Sequence, residues 1–173
     1  MTILLLGADG QVGYELHRVF APVGAIAAYT ISGTLPGGAR CGRIDFTEAG
    51  SLAALVAEKR PKLVLNAVAH TQVDRAEDEP ELAQRINADA VDELAQACAA
   101  HDAKLVHYST DYVFGGEGRR PWREDDTTAP LGVYGRSKLA GEEAIRASGC
   151  RHMILRTAGV YVARGENFLR TAL

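Results

Sequence analysis

Short runs of continuous apolar residues recur along the chain, and most are followed by stretches whose apolar positions return at helical spacing. Thr2-Ile3-Leu4-Leu5-Leu6 is the first run, and a helix is predicted from near Gln11 to about Phe20. Ala25 to Ile31 reads as a second strand. Beyond a Gly-rich loop, a helix is expected from about Ser51 to Lys59, stopped by Pro61. Leu63 to Val68 follows as a buried strand, then a long helix from near Pro80 to about Ala100 and a strand over Lys104 to Tyr108. Gly115 to Pro130 mixes Gly, Pro and charge and predicts a surface loop. A helix carrying Tyr134, a strand over His152 to Arg156 and a helix over Asn167 to Leu173 complete the series.

Continuous apolar strands alternating with helices predict an α/β fold of Rossmann type, a doubly wound parallel sheet covered on both faces. Residues 1–173 read as one such domain, without repeats or low-complexity tracts. In this architecture ligands lie outside the carboxyl ends of the strands. Gly7, Asn66 to Thr71 and Ser109 to Asp111 are expected there.

Two local patterns carry candidate chemistry. Gly7, Gly10 and Gly13 follow the first strand directly and open the first helix, a strand–turn–helix arrangement whose unpaired N–H groups suit a pyrophosphate. The Gly-x-x-Gly-x-x-Gly spacing is one residue wider at the front than the usual dinucleotide fingerprint, and a plain packing turn produces it equally well. Tyr134 and Lys138 stand four residues apart on a predicted helix, so phenol and ammonium reach the same small volume. A cation held there is expected to draw the phenol down from roughly 10 towards a useful range for proton transfer. Alone, such a pair most often marks an exposed helix face.

Composition changes the picture only by exclusion. The chain is 47% hydrophobic and 24% charged with a net charge of −3, values of a globular domain with a real core and no general attraction to nucleic acid or anionic membranes. No signal-like N-terminus or run approaching ~20 apolar residues is present, which predicts a cytoplasmic protein. Cys41, Cys98 and Cys150 are odd in number and lack metal-ligand spacing, so free thiols are expected.

Five segments occur in an informative order: Gly7 to Gly13, Asp45-Phe46-Thr47, Asn66-Ala67-Val68-Ala69-His70-Thr71, Ser109-Thr110-Asp111-Tyr112-Val113-Phe114 and Tyr134-Gly135-Arg136-Ser137-Lys138. In order and approximate spacing the chain resembles the extended short-chain dehydrogenase/reductases, and among them the dTDP-4-dehydrorhamnose reductases. The resemblance implies reduction of the C4 carbonyl of dTDP-4-dehydro-6-deoxy-L-mannose to dTDP-L-rhamnose by NAD(P)H. It implies that Tyr134 gives a proton to the carbonyl oxygen, Thr110 hydrogen-bonds that oxygen, and Lys138 holds the nicotinamide ribose and keeps Tyr134 acidic. Gly7, Gly10, Gln11, Val12, Gly13, Thr30, Asp45, Phe46, Ala69, His70 and Thr71 would contact the cofactor, with Asp45 at the adenine amino group and Phe46 beside the ring. Asp111 and Tyr112 would join Thr110 at the sugar. Without the resemblance, Thr110 reads as a hydroxyl capping a turn, Asp45 as a helix cap before Thr47 and His70 as a loop histidine.

The same residues weigh the alternatives. Sugar-nucleotide dehydratases carry Asp-Glu after the threonine, whereas Tyr112 follows Asp111 here, which favours simple reduction. Epimerases share the Thr, Tyr and Lys set but lack the Asp-Tyr-Val-Phe string. A non-catalytic relative, such as the regulatory subunit of methionine adenosyltransferase, uses the same scaffold, and an intact Thr110, Tyr134 and Lys138 argues against that role.

Departures from the reductase pattern are equally specific. Gly159 stands where these enzymes usually carry a Trp against the substrate, which puts the sugar in question. The resemblance implies a smaller substrate-binding portion beyond Leu173, and an uncovered apolar face would then favour a homodimer. It also implies a magnesium ligand at Glu15, whose partners would fall beyond Leu173; the plain reading of Glu15 is a helix-surface residue. Thr30 ends the second strand where NAD-selective enzymes place an acid. With Ser32, Arg40 and Arg43 nearby, this predicts NADPH over NADH.

Overall fold

The computed structural model describes residues 2–117 and 120–161. The strands β1 (Thr2–Leu6), β2 (Ala25–Thr30), β3 (Gly42–Arg43), β4 (Leu63–Asn66), β5 (Lys104–Thr110) and β6 (His152–Thr157) form one parallel sheet in the order β3-β2-β1-β4-β5-β6. This is the dinucleotide-fold order, with its switch point between β1 and β4. The predicted α/β class and the parallel sheet hold.

Alternation explains why β1 is apolar throughout. Leu4 and Leu6 pack on one face with Val64, Leu105 and the helices α2 (Ser51–Lys59) and α5 (Ala90–Ala100), while Ile3 and Leu5 pack on the other with Leu16 and Phe20 of α1 (Gln11–Phe20). Both faces are buried, so every β1 position after Thr2 loses its contact with water.

Polar side chains set the helix ends. Glu93 of α5 accepts from the N–H groups of Gly50, Leu52 and Ala53, closing the start of α2 at 2.8–3.0 Å. Two helices precede α5, namely α3 (Val73–Asp78) and α4 (Pro80–Gln84). Glu77 of α3 accepts from Val133 N–H at 2.7 Å and so holds the first turn of α6 (Val133–Ala147), the helix that carries Tyr134 and Lys138.

The structure refines several predicted elements. The long helix from Pro80 to Ala100 is present, but Arg85–Asp89 forms a π turn between α4 and α5. Asn66 ends β4, two residues before the predicted stop, because its side chain accepts from Val68 N–H at 3.1 Å and turns the chain out of the sheet. The helix α3, the two-residue strand β3 and a 3-10 turn over Asp111–Val113 carry no periodic signal long enough to predict them. The helix expected over Asn167 to Leu173 lies outside the described residues.

Candidate active site

The first glycine turn is built by backbone geometry. Gly7 has φ +80°, and a Cβ there would lie 2.9 Å from the Val68 side chain. A Cβ on Gly13 would lie far inside contact distance of the Gly7 carbonyl oxygen, so this glycine lets α1 lie directly against the turn. Gly10 differs: among the described residues the only neighbour of its Cβ would be Gly7 O at 3.5 Å. The packing of the described residues does not require glycine at position 10, which borders a cleft of about 820 Å³. No side chain caps α1, and its first turn faces the cleft.

That cleft runs along the carboxyl edge of the sheet. Gly7, Gly10, Gln11 and Val12 line one end, with Thr30, Asp45 and Phe46 beside them, and Ala69 and Thr71 the middle. Thr110, Asp111, Tyr112, Tyr134, Lys138 and Gly159 line the other end. The structure thus brings together nearly all the residues singled out in the sequence. Gly13 and His70 do not border the cleft: Gly13 packs α1 on β1, and His70 turns towards Glu79 at 3.5 Å.

Thr110 ends β5 and caps the following turn by accepting from Tyr112 N–H at 3.2 Å, while its own hydroxyl donates to Asp111 Oδ1 at 3.2 Å. Its hydroxyl borders the same cleft as the Tyr134 phenol. Tyr112 meets the Tyr134 ring edge to face, with centroids 5.6 Å apart. The expected acidification of Tyr134 by Lys138 is not found. Burial raises the phenol above 10, the Thr110 hydroxyl offsets this only in part, and the negative charge of Asp111 raises it further. The reason lies in the lysine's own partners.

Lys138 is 1% exposed and donates to the Tyr108 carbonyl at 2.7 Å, with His107 Nε2 at 3.2 Å. His107 Nδ1 in turn lies 3.1 Å from Asn66 Nδ2, its register partner on β4. Burial pushes Lys138 down to about 8, although the Glu142 charge one turn along opposes the shift. Burial and then the Lys138 charge push His107 well below the ordinary histidine range. Glu142 is fully buried, which opposes its ionisation, but hydrogen bonds from Arg156 and Arg146 outweigh burial and hold it below 4.5.

Sequence reasoning placed Asn66 at the ligand edge without a partner, and passed over His107 and Asn87. Asn87 sits in the π turn, accepts from His70 N–H at 2.9 Å and donates to the His70 carbonyl and Ser137 Oγ at 3.1 and 3.0 Å. It ties the Ala69–Thr71 loop to α6. A polar residue inside an otherwise apolar strand was the available signal for His107 and Asn66. The π turn that aims Asn87 had none.

At the other end of the cleft, Asp45 Oδ1 accepts from the N–H and hydroxyl of Thr47 at 2.8 and 2.6 Å, which lowers its pKa; this closes a local turn, and the helix-cap reading of Asp45 does not hold, since α2 begins only at Ser51. Thr30 is 1% exposed and contacts Ser32 Oγ at 3.3 Å. Arg43 Nε donates to the Ile31 carbonyl at 3.2 Å, which holds its guanidinium beside the end of β2.

Glu15 pairs with Arg18 at 2.8 Å, and among the described residues no three His, Cys, Asp or Glu side chains gather as a metal site. Cys41, Cys98 and Cys150 are free thiols, with Cys98 pushed up to about 12 by burial. Among the described residues no helix is long and apolar enough to cross a membrane.

Comparison with known proteins accords with this geometry. The dTDP-4-dehydrorhamnose reductases of Escherichia coli K12 and Mycolicibacterium smegmatis are 49% and 43% identical over 173 and 171 residues, or 100% and 98% of this chain and 56% and 49% of theirs. Among solved structures, the dTDP-4-dehydrorhamnose reductase of Clostridium acetobutylicum superposes with a TM-score of 0.89 at 35% identity, covering 99% of this chain and 57% of that one. The Bacillus anthracis enzyme in complex with NADP gives 0.87 at 33% identity, covering 98% and 57%. The chain therefore spans about half the length of the relatives it matches. The profile described as RmlD substrate binding domain matches residues 1–173, and the chain belongs to that family.

Proposed function

We propose that residues 1–173 form the dinucleotide-binding domain of a cytoplasmic dTDP-4-dehydrorhamnose reductase that prefers NADPH. One observation carries the reading: Thr110, Tyr134 and Lys138 line the same cleft as the uncapped start of α1 and the open space at Gly10. The pyrophosphate of a dinucleotide suits that start, and Asp45 and Phe46, which line the same cleft, are assigned to the adenine. A bound reduced nicotinamide supplies the hydride.

The chain's own groups do the rest. As the sugar C4 accepts the hydride, Tyr134 passes its phenolic proton to the carbonyl oxygen, giving the alcohol. Thr110 turns its hydroxyl from Asp111 to that oxygen and stabilises the charge growing there. The raised pKa of Tyr134 keeps the phenol protonated, the form a proton donor needs. Asp111 and Tyr112, exposed beside Thr110, are assigned to the sugar. Phosphate preference rests on Thr30 in place of a carboxylate and on Arg43 held at Ile31.

Self-association belongs to the same proposal. Met153 on the edge strand β6 is 46% exposed, and sedimentation at rising concentration reads out pairing.

The test is oxidation of NADPH by the purified chain with dTDP-4-dehydro-6-deoxy-L-mannose, followed by absorbance of the reduced nicotinamide. Sugar-dependent oxidation that disappears in Tyr134→Phe is expected. Oxidation unaffected by that substitution would remove the proposed acid.

A further inference from the structure

The row Asn66, His107 and Lys138 has a direction that its hydrogen-bond inventory fixes. Val68 N–H can only donate, so the Asn66 atom facing it at 3.1 Å is the oxygen, and the amide nitrogen faces His107. That nitrogen also donates, so His107 Nδ1 must accept. The imidazole is neutral at ordinary pH and therefore carries its proton on Nε2, aimed at Lys138 Nζ 3.2 Å away. An ammonium has no lone pair for this proton, whereas an amine has one. In the amine form, Lys138 accepts from His107, donates one N–H to Tyr108 O at 2.7 Å and keeps its second N–H for the cleft.

We propose that Asn66 and His107 are positioning residues that select the amine form of Lys138, and that Lys138 takes up a proton when negative charge enters the cleft beside it. The row is fully buried, with Asn66 and His107 at 0% and Lys138 at 1% exposure, so water cannot substitute for a mismatched partner. The charges around it set the balance. Glu142 on α6 favours the ammonium, but it is shared with Arg156 of β6 and Arg146. Asp111 lies towards Tyr134, Tyr108 of β5 is held protonated by burial, and Glu77 of α3 is engaged by Val133 N–H. From the π turn and α5, Asn87 and Val91 approach α6 without charge. Burial pulls Lys138 in the same direction as the row does.

This inference rests on the proposed role of Lys138 at the cofactor only for its consequence, since the protonation pattern itself can be read without turnover. Long-range ¹⁵N–¹H spectra of the ¹⁵N-histidine-labelled chain at pH 9.5, where the amine form of Lys138 prevails, identify His107 by the signal missing in His107→Leu. The Nε2–H tautomer is expected. The ¹³Cε signal of Lys138, identified by Lys138→Met, is expected to titrate near pH 8. In Asn66→Asp the carboxylate accepts from Nδ1–H, so His107 should change tautomer and the Lys138 midpoint should rise by at least one pH unit. Asn66→Leu adds no charge and should raise it as well, by about half that. A wild-type His107 with its proton on Nδ1 or on both nitrogens overturns the proposal. An unmoved Lys138 midpoint in either folded variant does the same. Should neither variant fold, the wild-type tautomer decides alone.

Discussion

A lysine that is charged at the cost of burial makes stability rise with pH, as a paired carboxylate does, but in an alkaline window instead of an acid one. Lys138 lies at about 8 in the folded chain against an ordinary 10.5. Between those values the unfolded chain holds the proton and the folded chain has released it, so stability rises with pH across this window. The full shift corresponds to about 3.4 kcal/mol, and linkage over pH 7 to 10 gives about 2.5 kcal/mol. Lys138→Met removes the titration. Other groups that ionise in this range cancel when wild type and variant are compared at each pH, and His107 is already neutral throughout. Urea unfolding at pH 7, 8, 9 and 10 should show wild type gaining on Lys138→Met by about 2.5 kcal/mol from first to last. A constant difference, or one that shrinks as pH rises, refutes the assignment of a buried, depressed lysine.

The other predictions concern single groups. Tyr134→Phe should lower reduction by roughly 10²–10⁴ while NADPH affinity stays within a few-fold, as rate and calorimetry together would show. Gly13→Ala should cost about 2 kcal/mol or more because its Cβ meets the Gly7 carbonyl, whereas Gly10→Ala should leave stability within about 1 kcal/mol but weaken NADPH binding at least tenfold; equal effects of the two would contradict the division of labour at the turn. Glu142→Gln leaves Arg156 with a neutral partner in a buried pair and should cost about 3–5 kcal/mol at pH 7. Since the folded pKa of Glu142 is depressed, its contribution is complete above 4.5 and is lost as pH falls through the folded value, so acid unfolding of wild type and variant should converge. Arg43→Ala should reduce the NADPH-over-NADH ratio of dissociation constants at low salt, and equal or tighter NADH binding by wild type would sink the assignment of Thr30 and Arg43.

Periodicity made the sheet legible. Ile3 to Leu6 are apolar at every position because both faces of β1 are covered, and that pattern is visible in one dimension. The placement of Gly7 and Thr110 on one cleft followed from the rule that ligands lie at strand carboxyl ends, whereas Tyr134 and Lys138, on α6, were joined to it by their i, i+4 spacing and the family resemblance. What the sequence could not supply is where a buried polar group finds its partner. Lys138 and Tyr134 share a helix face, yet three-dimensional contacts with Tyr108 and His107 take the lysine, and the phenol rises instead of falling. Asn87 reaches His70 only because a π turn rotates it, and the hydrogen bonds of that turn leave no trace in residue spacing.

Hydride transfer to the sugar is the central claim, and isotope transfer tests it most directly. The chain should be mixed with NADPH carrying deuterium at the transferable nicotinamide position and with dTDP-4-dehydro-6-deoxy-L-mannose, and the product sugar examined by mass and NMR spectroscopy. The account predicts deuterium at C4 of the product, one per NADPH oxidised, and its loss in Tyr134→Phe. Deuterium retained on the nicotinamide, or C4 hydrogen drawn from solvent, would contradict it.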